Sequence, residues 1–558
     1  MEQTLDDLNG SGDFFSTMHL LEASGAESMG LWIRVVCTIC CLVCATYYVR
    51  MWLNNVGCRR CLLWAVEEIM KSHGSLQINR SRCQLLSAEC QRLSAEWQRL
   101  TSLCNPRFAR QHLVLRELYC AVRNALKLVK DCCTDENWLL KAVELGNCQE
   151  HFREVLLDLH RLNKPANLGV EPFDVTVTGI IDETVMEDML AASTSDKTEL
   201  KRKVQSGYEQ GHYLANQLVE EPVSVSAPPE ISKHVTDFDI LRTPFIYPAA
   251  LPIDSEGKTI DQTQIIVFRV THTSKEFIVK MQWRKPRANL GWEGPELVRE
   301  KPNPKLQNEA KTMKKCRHPY TVGLVGYWEV TNRGPVVPLL LMESMECNLK
   351  ELIEKRSKTT SFYGLWGGTR GFPALDAVNL VLPVAKALRY LHSIKVVHRD
   401  LKPQNILYTN VLSETHHLPD YSSVKLADFG EAVKVDDSVV LSPSRAGTTV
   451  YMDPDVYKLR MNIDLYKADV FSFGLVFGEV LTGVSPGEAL DCMFVDSKGN
   501  CLLRGTKFQE KLERGDRPPL PKETPEFVTN IVEKCCDPDP AERPSFEMIC
   551  YKLQYLRY

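Results

Sequence analysis

In the stretch HRDLKPQNIL, residues 398–407, a carboxylate (Asp400), an ammonium (Lys402) and a carboxamide (Asn405) share one short loop. Those types at that spacing suit phosphoryl transfer. A carboxylate can orient an acceptor hydroxyl, a cation can neutralise the migrating group, and an amide oxygen can sit on a divalent cation. A second carboxylate, Asp428 in LADFG, could share that cation. Upstream, Lys280 ends KEFIVK and Glu309 lies in NEAKTMKKCRHP, so the two could pair and aim the ammonium at phosphates. Lys280, Glu309 and Asp428 are far from the 398–407 loop in sequence, and a fold has to gather the six groups.

The segment leading to Lys280, YPAALPIDSEGKTIDQTQIIVFRVTHTSKEFIVK, reads as strands ending on the lysine. A backbone that folds closely over phosphates favours several glycines. This window has one, Gly257, with Lys258, Thr259, Asp261, Gln262 and Thr263 in the covering position. Asp261 would repel phosphate oxygens if it pointed inward. The expectation is slowed chemistry with binding retained, because Lys280 and the carboxylates supply much of the charge stabilisation.

The chain has 558 residues, 44% apolar and 25% charged, which suits two or three globular domains and excludes bulk disorder. A net charge of −4 gives no reason to expect nucleic acid as a partner. The 20 cysteines are diluted over the chain, and several are adjacent, such as Cys535 and Cys536. None has zinc-ligand spacing with histidines, so they read as cytosolic thiols.

Residues 1–30 form an acidic tail, and residues 31–49, LWIRVVCTICCLVCATYYV, carry Arg34 as their one charge. That length approaches the ~20 residues a helix needs to cross ~30 Å of hydrocarbon, so a transmembrane helix is expected, a buried core helix being the alternative. Arg50, Arg59 and Arg60 follow, which places the rest of the chain in the cytosol by the positive-inside rule. If the segment does not span, the chain is cytoplasmic. Cys58 and Cys61 are candidate palmitoylation sites.

Residues 56–164 predict a helical bundle. CQLLSAECQRLSAEWQRL aligns Cys83, Leu86, Cys90, Leu93, Trp97 and Leu100 on one seam at spacings of three and four. Leu115, Leu118, Val122, Ala125 and Val129 share a second face; Phe152, Val155, Leu159 and Leu162 share a third; LLWAVEEIMKS adds a fourth helix. Four such helices pack as an up-and-down bundle with no catalytic constellation, an interaction module able to form an oligomer. Residues 165–235 read as a linker with one helix over 196–219 and the Pro- and Ser-bearing PVSVSAPPEIS.

With HRDLKPQNIL, LADFG, YKADVFSFG, GDRPPLP and AERPSF in order, residues 236–558 resemble the serine/threonine type of protein kinase domain, tyrosine-kinase-like group. The resemblance implies an α+β, two-lobed fold that uses ATP and Mg²⁺ on protein substrates. Asp400 would be the catalytic carboxylate with Lys402 beside it, Lys280 and Glu309 would hold phosphates, and Asn405 and Asp428 would hold metal. Met342 and Glu343 would line the adenine side, and Asp469 would be a buried anchor. Arg543 would pair with Asp455, which stands where the family has a glutamate. Ser438, Ser442, Ser444, Thr448 and Thr449 are candidate phosphorylation sites, Ser442 to Thr449 first, where a phosphate could dock on Arg399. In the N-terminal region, QINRSRCQLL and LRELYCAVRNALKLVKDC resemble plant proteins of the mixed lineage kinase domain-like family. That likeness implies an alternative function, a nucleotide- or phosphorylation-controlled switch acting through the bundle.

Overall fold

The computed structural model describes residues 60–102, 108–133, 142, 149–162, 183–207, 239–245, 263–272, 275–284, 303–330, 337–362, 370–409, 424–435, 445–495 and 501–555. The acidic tail, residues 31–49, the glycine-poor stretch at 246–262 and residues 436–444 lie outside them. Among the described residues no helix is long and apolar enough to cross a membrane.

The N-terminal helices are α1 (60–71), α2 (Arg80–Ser102), α3 (Phe108–Asp131), α4 (Gln149–Leu162) and α5 (Glu183–Gly207). Apolar residues three and four apart fall on one side of each helix, and those sides close over one core. It contains Ile69, Cys83, Leu86, Cys90, Leu118, Val122, Ala125, Val129, Phe152 and Leu159. The side chains of Leu93, Trp97, Leu100, Leu115 and Leu162 lie outside the described residues.

The helix expected over 196–219 is found at Glu183–Gly207, and it belongs to the bundle rather than to a linker. Its Asp196 is buried against α2, where it takes the guanidinium of Arg82 at 2.9 Å. It also accepts the backbone N–H groups of Ser81 at 2.8 Å and Arg82 at 3.1 Å. These are first-turn donors that α2 cannot satisfy internally.

The C-terminal region opens with an antiparallel sheet in the order β1-β2-β3-β5-β4. Its strands are β1 (Asp239–Phe245), β2 (Thr263–His272), β3 (Lys275–Arg284), β4 (Leu324–Val330) and β5 (Val337–Glu343). Between β3 and β4 runs α6 (Pro304–Lys315), started by Asn303, whose side chain accepts from the N–H of Lys305. A mainly helical lobe follows, with α7 (Leu349–Phe362), α8 (Ala374–Ser393), α9 (Leu465–Thr482), α10 (Gly505–Glu513), α11 (Glu526–Cys535) and α12 (Phe546–Tyr555). Short strands β6 (Cys347–Asn348), β7 (Val396–Val397), β8 (Ile406–Tyr408), β9 (Val424–Leu426) and β10 (Val433–Lys434) carry the loops of the site.

Helix α9 is apolar on all sides and buried from Asp469 to Leu481, as expected for a helix at the centre of a lobe. Its buried cluster is continuous with Leu306 and Met313 of α6 and with Leu340 of β5, so one core spans both lobes.

One expected pairing is corrected. Arg543 is buried against Asp453 at 2.5 Å, while Asp455 pairs with Arg460 at 2.8 Å on the surface. Asp453 occupies the cap of the helical turn Pro454–Tyr457 and accepts from the N–H groups of Asp455 and Val456. The cap carboxylate faces inward and Asp455 already lies within the turn, so the buried guanidinium meets the former.

Candidate active site

Strand β3 places Lys280 opposite Val267 of β2 and Leu340 of β5, deep in the sheet. Its Nζ lies 2.6 Å from Glu309 Oε2, on the inner face of α6, and 3.4 Å from Asp428 Oδ1. Burial works against the Lys280 charge, but Glu309 and Asp428 outweigh it and hold its ammonium above the usual range. Burial pushes the Glu309 carboxyl up to about 7 against the pull of Lys280. The Asp428 carboxyl is held down, first by Lys280 and then, against burial, by His398 and Lys402. An ionised carboxylate and an ammonium therefore converge on one spot, as phosphates and a cation require.

Asp428 has a backbone φ of 63°, a strained conformation for a residue with a side chain. The loop is fixed around it. Phe429 is fully buried, with its ring 5.5 Å from that of His398. Asn308 of α6 donates to the carbonyls of Gly430 at 3.0 Å and Ala432 at 2.7 Å, which ties the loop to the helix of Glu309.

The loop 398–405 hangs on α9. The N–H groups of His398 and Arg399 donate to the two oxygens of Asp469, each at 2.9 Å, and Arg399 adopts a φ of 68°. Asp400 is then held from three sides. Lys402 Nζ donates to it at 2.7 Å, the Thr448 hydroxyl at 2.8 Å, and Asn405 Nδ2 at 3.2 Å. Lys402 also reaches the Thr448 hydroxyl at 2.9 Å. Thr448 can lie this close because Gly447, at a φ of 104°, runs against the Arg399 carbonyl where any Cβ would collide.

With Nδ2 of Asn405 turned toward Asp400, its carboxamide oxygen is the atom left for a cation. The donor set suits Mg²⁺. Asp428 Oδ1 and the Asn405 amide are hard oxygens, and the Asp428 side chain is 43% exposed. Among the described residues no three His, Cys, Asp or Glu are placed to hold a metal ion.

Met342 of β5 is buried opposite Ile278. The Glu343 carboxylate accepts from the Gly323 N–H at 2.5 Å and from Lys425 at 2.7 and 2.8 Å, joining β5 to β9. Any contact of Glu343 with a nucleotide must then come from its backbone. Three contributors were missed in the sequence: Gly447, Thr448 in its contact with Asp400, and Gln509. Gln509 of α10 is buried and donates to the carbonyls of Thr449 at 2.9 Å and Met452 at 3.1 Å. The Gly-Thr pair preceding YMDP was a usable signal for the first two; nothing local marks Gln509.

The family model for the protein kinase domain matches residues 271–555, a little over half of the chain. The chain belongs to the protein kinase domain family. Among curated proteins it is similar to the light-sensor protein kinase of Ceratodon purpureus, 32% identical over 234 residues, covering 39% of this chain and 17% of the relative. It is similar to serine/threonine-protein kinase STY17 of Arabidopsis thaliana, 27% identical over 329 residues, 56% of this chain and 48% of that protein. Human mitogen-activated protein kinase kinase kinase 10 is 33% identical over 190 residues, 34% and 18% of the respective chains. The chain thus spans less than half the length of these relatives.

Proposed function

We propose that the chain is a serine/threonine protein kinase that transfers the γ-phosphoryl group of ATP to protein hydroxyls. The observation that carries this is the joint placement of Lys280, Glu309 and Asp428 at one point, with Asp400, Lys402 and Asn405 assembled beside them. Serine/threonine specificity is supported by the Lys402 contacts and by the names of the relatives.

Bound Mg·ATP would supply the transferable phosphoryl group and the cation's charge. The chain's own residues do the rest. Glu309 holds the Lys280 ammonium toward the α- and β-phosphate positions. Asp428 and Asn405 offer oxygens to the metal. Asp400 receives the acceptor hydroxyl in a hydrogen bond and orients it, and Lys402 neutralises charge on that side. The glycine-poor sequence before Lys280 argues for a slow rate.

The finer readings rest on sequence: a membrane anchor at residues 31–49, an oligomer formed through the bundle, and a likeness to mixed lineage kinase domain-like proteins. One observation favours the second function, a nucleotide-controlled switch. The bundle is docked on the kinase domain through Glu154 and Asp158 of α4.

The test uses the full chain. Mg·ATP should raise its melting temperature, and Lys280→Met should remove most of the rise. Radiolabelled phosphate should enter a basic protein or the chain itself and be lost in Asp400→Asn. A shift without labelling would favour the switch, and no shift at millimolar nucleotide would exclude the ATP-using reading.

A further inference from the structure

Helix α4 of the bundle meets the kinase domain at a point where both lobes converge. Glu154, 4% exposed, accepts a hydrogen bond from Arg389 of α8 and lies 3.4 Å from Lys386 of the same helix. It also lies 3.5 Å from His318 Nε2. One turn on, Asp158 accepts from Lys386 at 2.8 Å and from Gln554 of α12 at 3.5 Å. Lys386 and Arg389 belong to the helical lobe, whereas His318 belongs to the loop 316–322 that leaves α6 for β4. A single buried carboxylate therefore lies against groups of both lobes, bonded to Arg389 and beside the His318 ring, whose Nε2 makes no hydrogen bond. Burial pushes the Glu154 carboxyl up, but Lys386 and Arg389, then His318, hold it well below the usual range.

The loop that Glu154 touches is wired to the site in both directions. Toward α6, the Tyr390 hydroxyl of α8 accepts from the Arg317 N–H at 3.3 Å and donates to the Lys315 carbonyl at 3.5 Å, and its ring stacks on His318 at 4.9 Å. Toward β9, Val322 N–H donates to the Leu426 carbonyl at 2.9 Å, and Leu426 N–H to the Tyr320 carbonyl at 2.8 Å. Glu309 lies in α6, and Asp428 lies two residues beyond Leu426. Among the described residues no hydrogen bond or ion pair joins the bundle to Lys280, Asp400, Asn405 or Asp428. The bundle is seated while the Lys280 and Glu309 pair is formed.

We propose that Glu154 is a positioning residue for the reaction: by fastening the 316–322 loop to α8, the bundle holds α6 and β9 where Glu309 and Asp428 meet Lys280. The bundle is then an internal brace of the kinase domain and not a brake on it. This rests on the kinase reading above. Removing one partner from a buried charge cluster leaves the others uncompensated, so the loop should loosen when Glu154 is neutralised.

The experiment compares the full-length chain with Glu154→Gln, Glu154→Asp and Asp158→Asn. Phosphate transfer is followed against ATP concentration, and hydrogen exchange is followed over residues 304–322 and 424–430. Glu154→Gln should raise KM for ATP about tenfold and speed exchange in both segments, and Glu154→Asp should restore most of each. If Glu154→Gln does not fold, Asp158→Asn, whose side chain is 18% exposed, carries the same comparison. Unchanged exchange in the two segments, or a faster reaction in Glu154→Gln, overturns the proposal. A wild-type chain that transfers no phosphate overturns the kinase reading instead, and the exchange data still decide the role of Glu154.

Discussion

Asp469 accepts the backbone N–H of Arg399 at 2.9 Å, so a carboxylate on the central helix of the lobe sets the path of the 398–405 loop. Its other oxygen takes the His398 N–H at 2.9 Å and the His392 ring at 3.0 Å. Burial raises the Asp469 carboxyl, but the His392 hydrogen bond and charge, with help from His398, hold it below its ordinary value. Asp469→Asn turns an NH₂ group toward donors, leaving at least one buried N–H unsatisfied, a loss of about 1–3 kcal/mol. The melting temperature should fall, and kcat should fall further than folding alone explains, measured at a temperature where the variant is folded.

The Arg543 and Asp453 pair gives a sharp contrast between neighbours. Both side chains are 2% exposed, so Arg543→Met should destabilise the protein by about 3–5 kcal/mol by leaving Asp453 charged and buried. Asp455→Asn breaks only the pair with Arg460, whose side chain is 53% exposed, and should change stability by less than about 1 kcal/mol. Urea denaturation of the two variants checks the order, and equal effects would contradict the assignment.

Gln509 should govern the protein substrate and not the nucleotide. Gln509→Leu leaves the carbonyls of Thr449 and Met452 without their donor, in the segment that carries Thr448 to Asp400. KM for a protein substrate should rise about tenfold while KM for ATP stays within about twofold. Steady-state kinetics in the two substrates tests this, and a shared change in both constants would argue against it.

Acid should loosen the seat of the bundle. The His151 ring of α4 is half-buried with an enclosed, unpartnered Nδ1. Burial, then the charges of Lys425, His318, Arg317 and Arg82, lowers its pKa to about 3. Burial also lowers His318, against the opposing pull of Glu154. Between pH 6.5 and about 3 the unfolded chain binds protons that the folded chain refuses, so stability is full above about pH 6.5 and declines as pH falls below it. Melting curves from pH 7.5 to pH 5 should show the decline, and His151→Asn should flatten its slope by about one proton.

The legible part of the site was local or tightly spaced. Asp400, Lys402 and Asn405 sit in one loop whose backbone fixes their relation, and Lys280, Glu309 and Asp428 each lie in a short pattern tied to one element. Relations between distant residues of equal charge were not legible. Asp453 and Asp455 are the same residue two positions apart, and only the cap geometry of the turn at Pro454 selects the first. Helix α5 was placed too late because apolar periodicity does not detect a helix whose buried face includes Ser193 and Asp196. Its anchor is the ion pair with Arg82. The sequence likewise offers no sign of Glu154, one acid among several on α4, because its partners are supplied from α8.

The seat of α4 also imposes an order on synthesis. The contacts of Asp158 with Lys386 and of Glu154 with Arg389 span 228 and 235 residues, and that of Asp158 with Gln554 spans 396. During translation the bundle leaves the ribosome long before its seat has been made, and Glu154 and Asp158 meet only water in the interval. At the rates typical of translation these intervals run from about 10 s to about 80 s. Charge at this junction therefore cannot be paired until α8, and for Asp158 also α12, has been made.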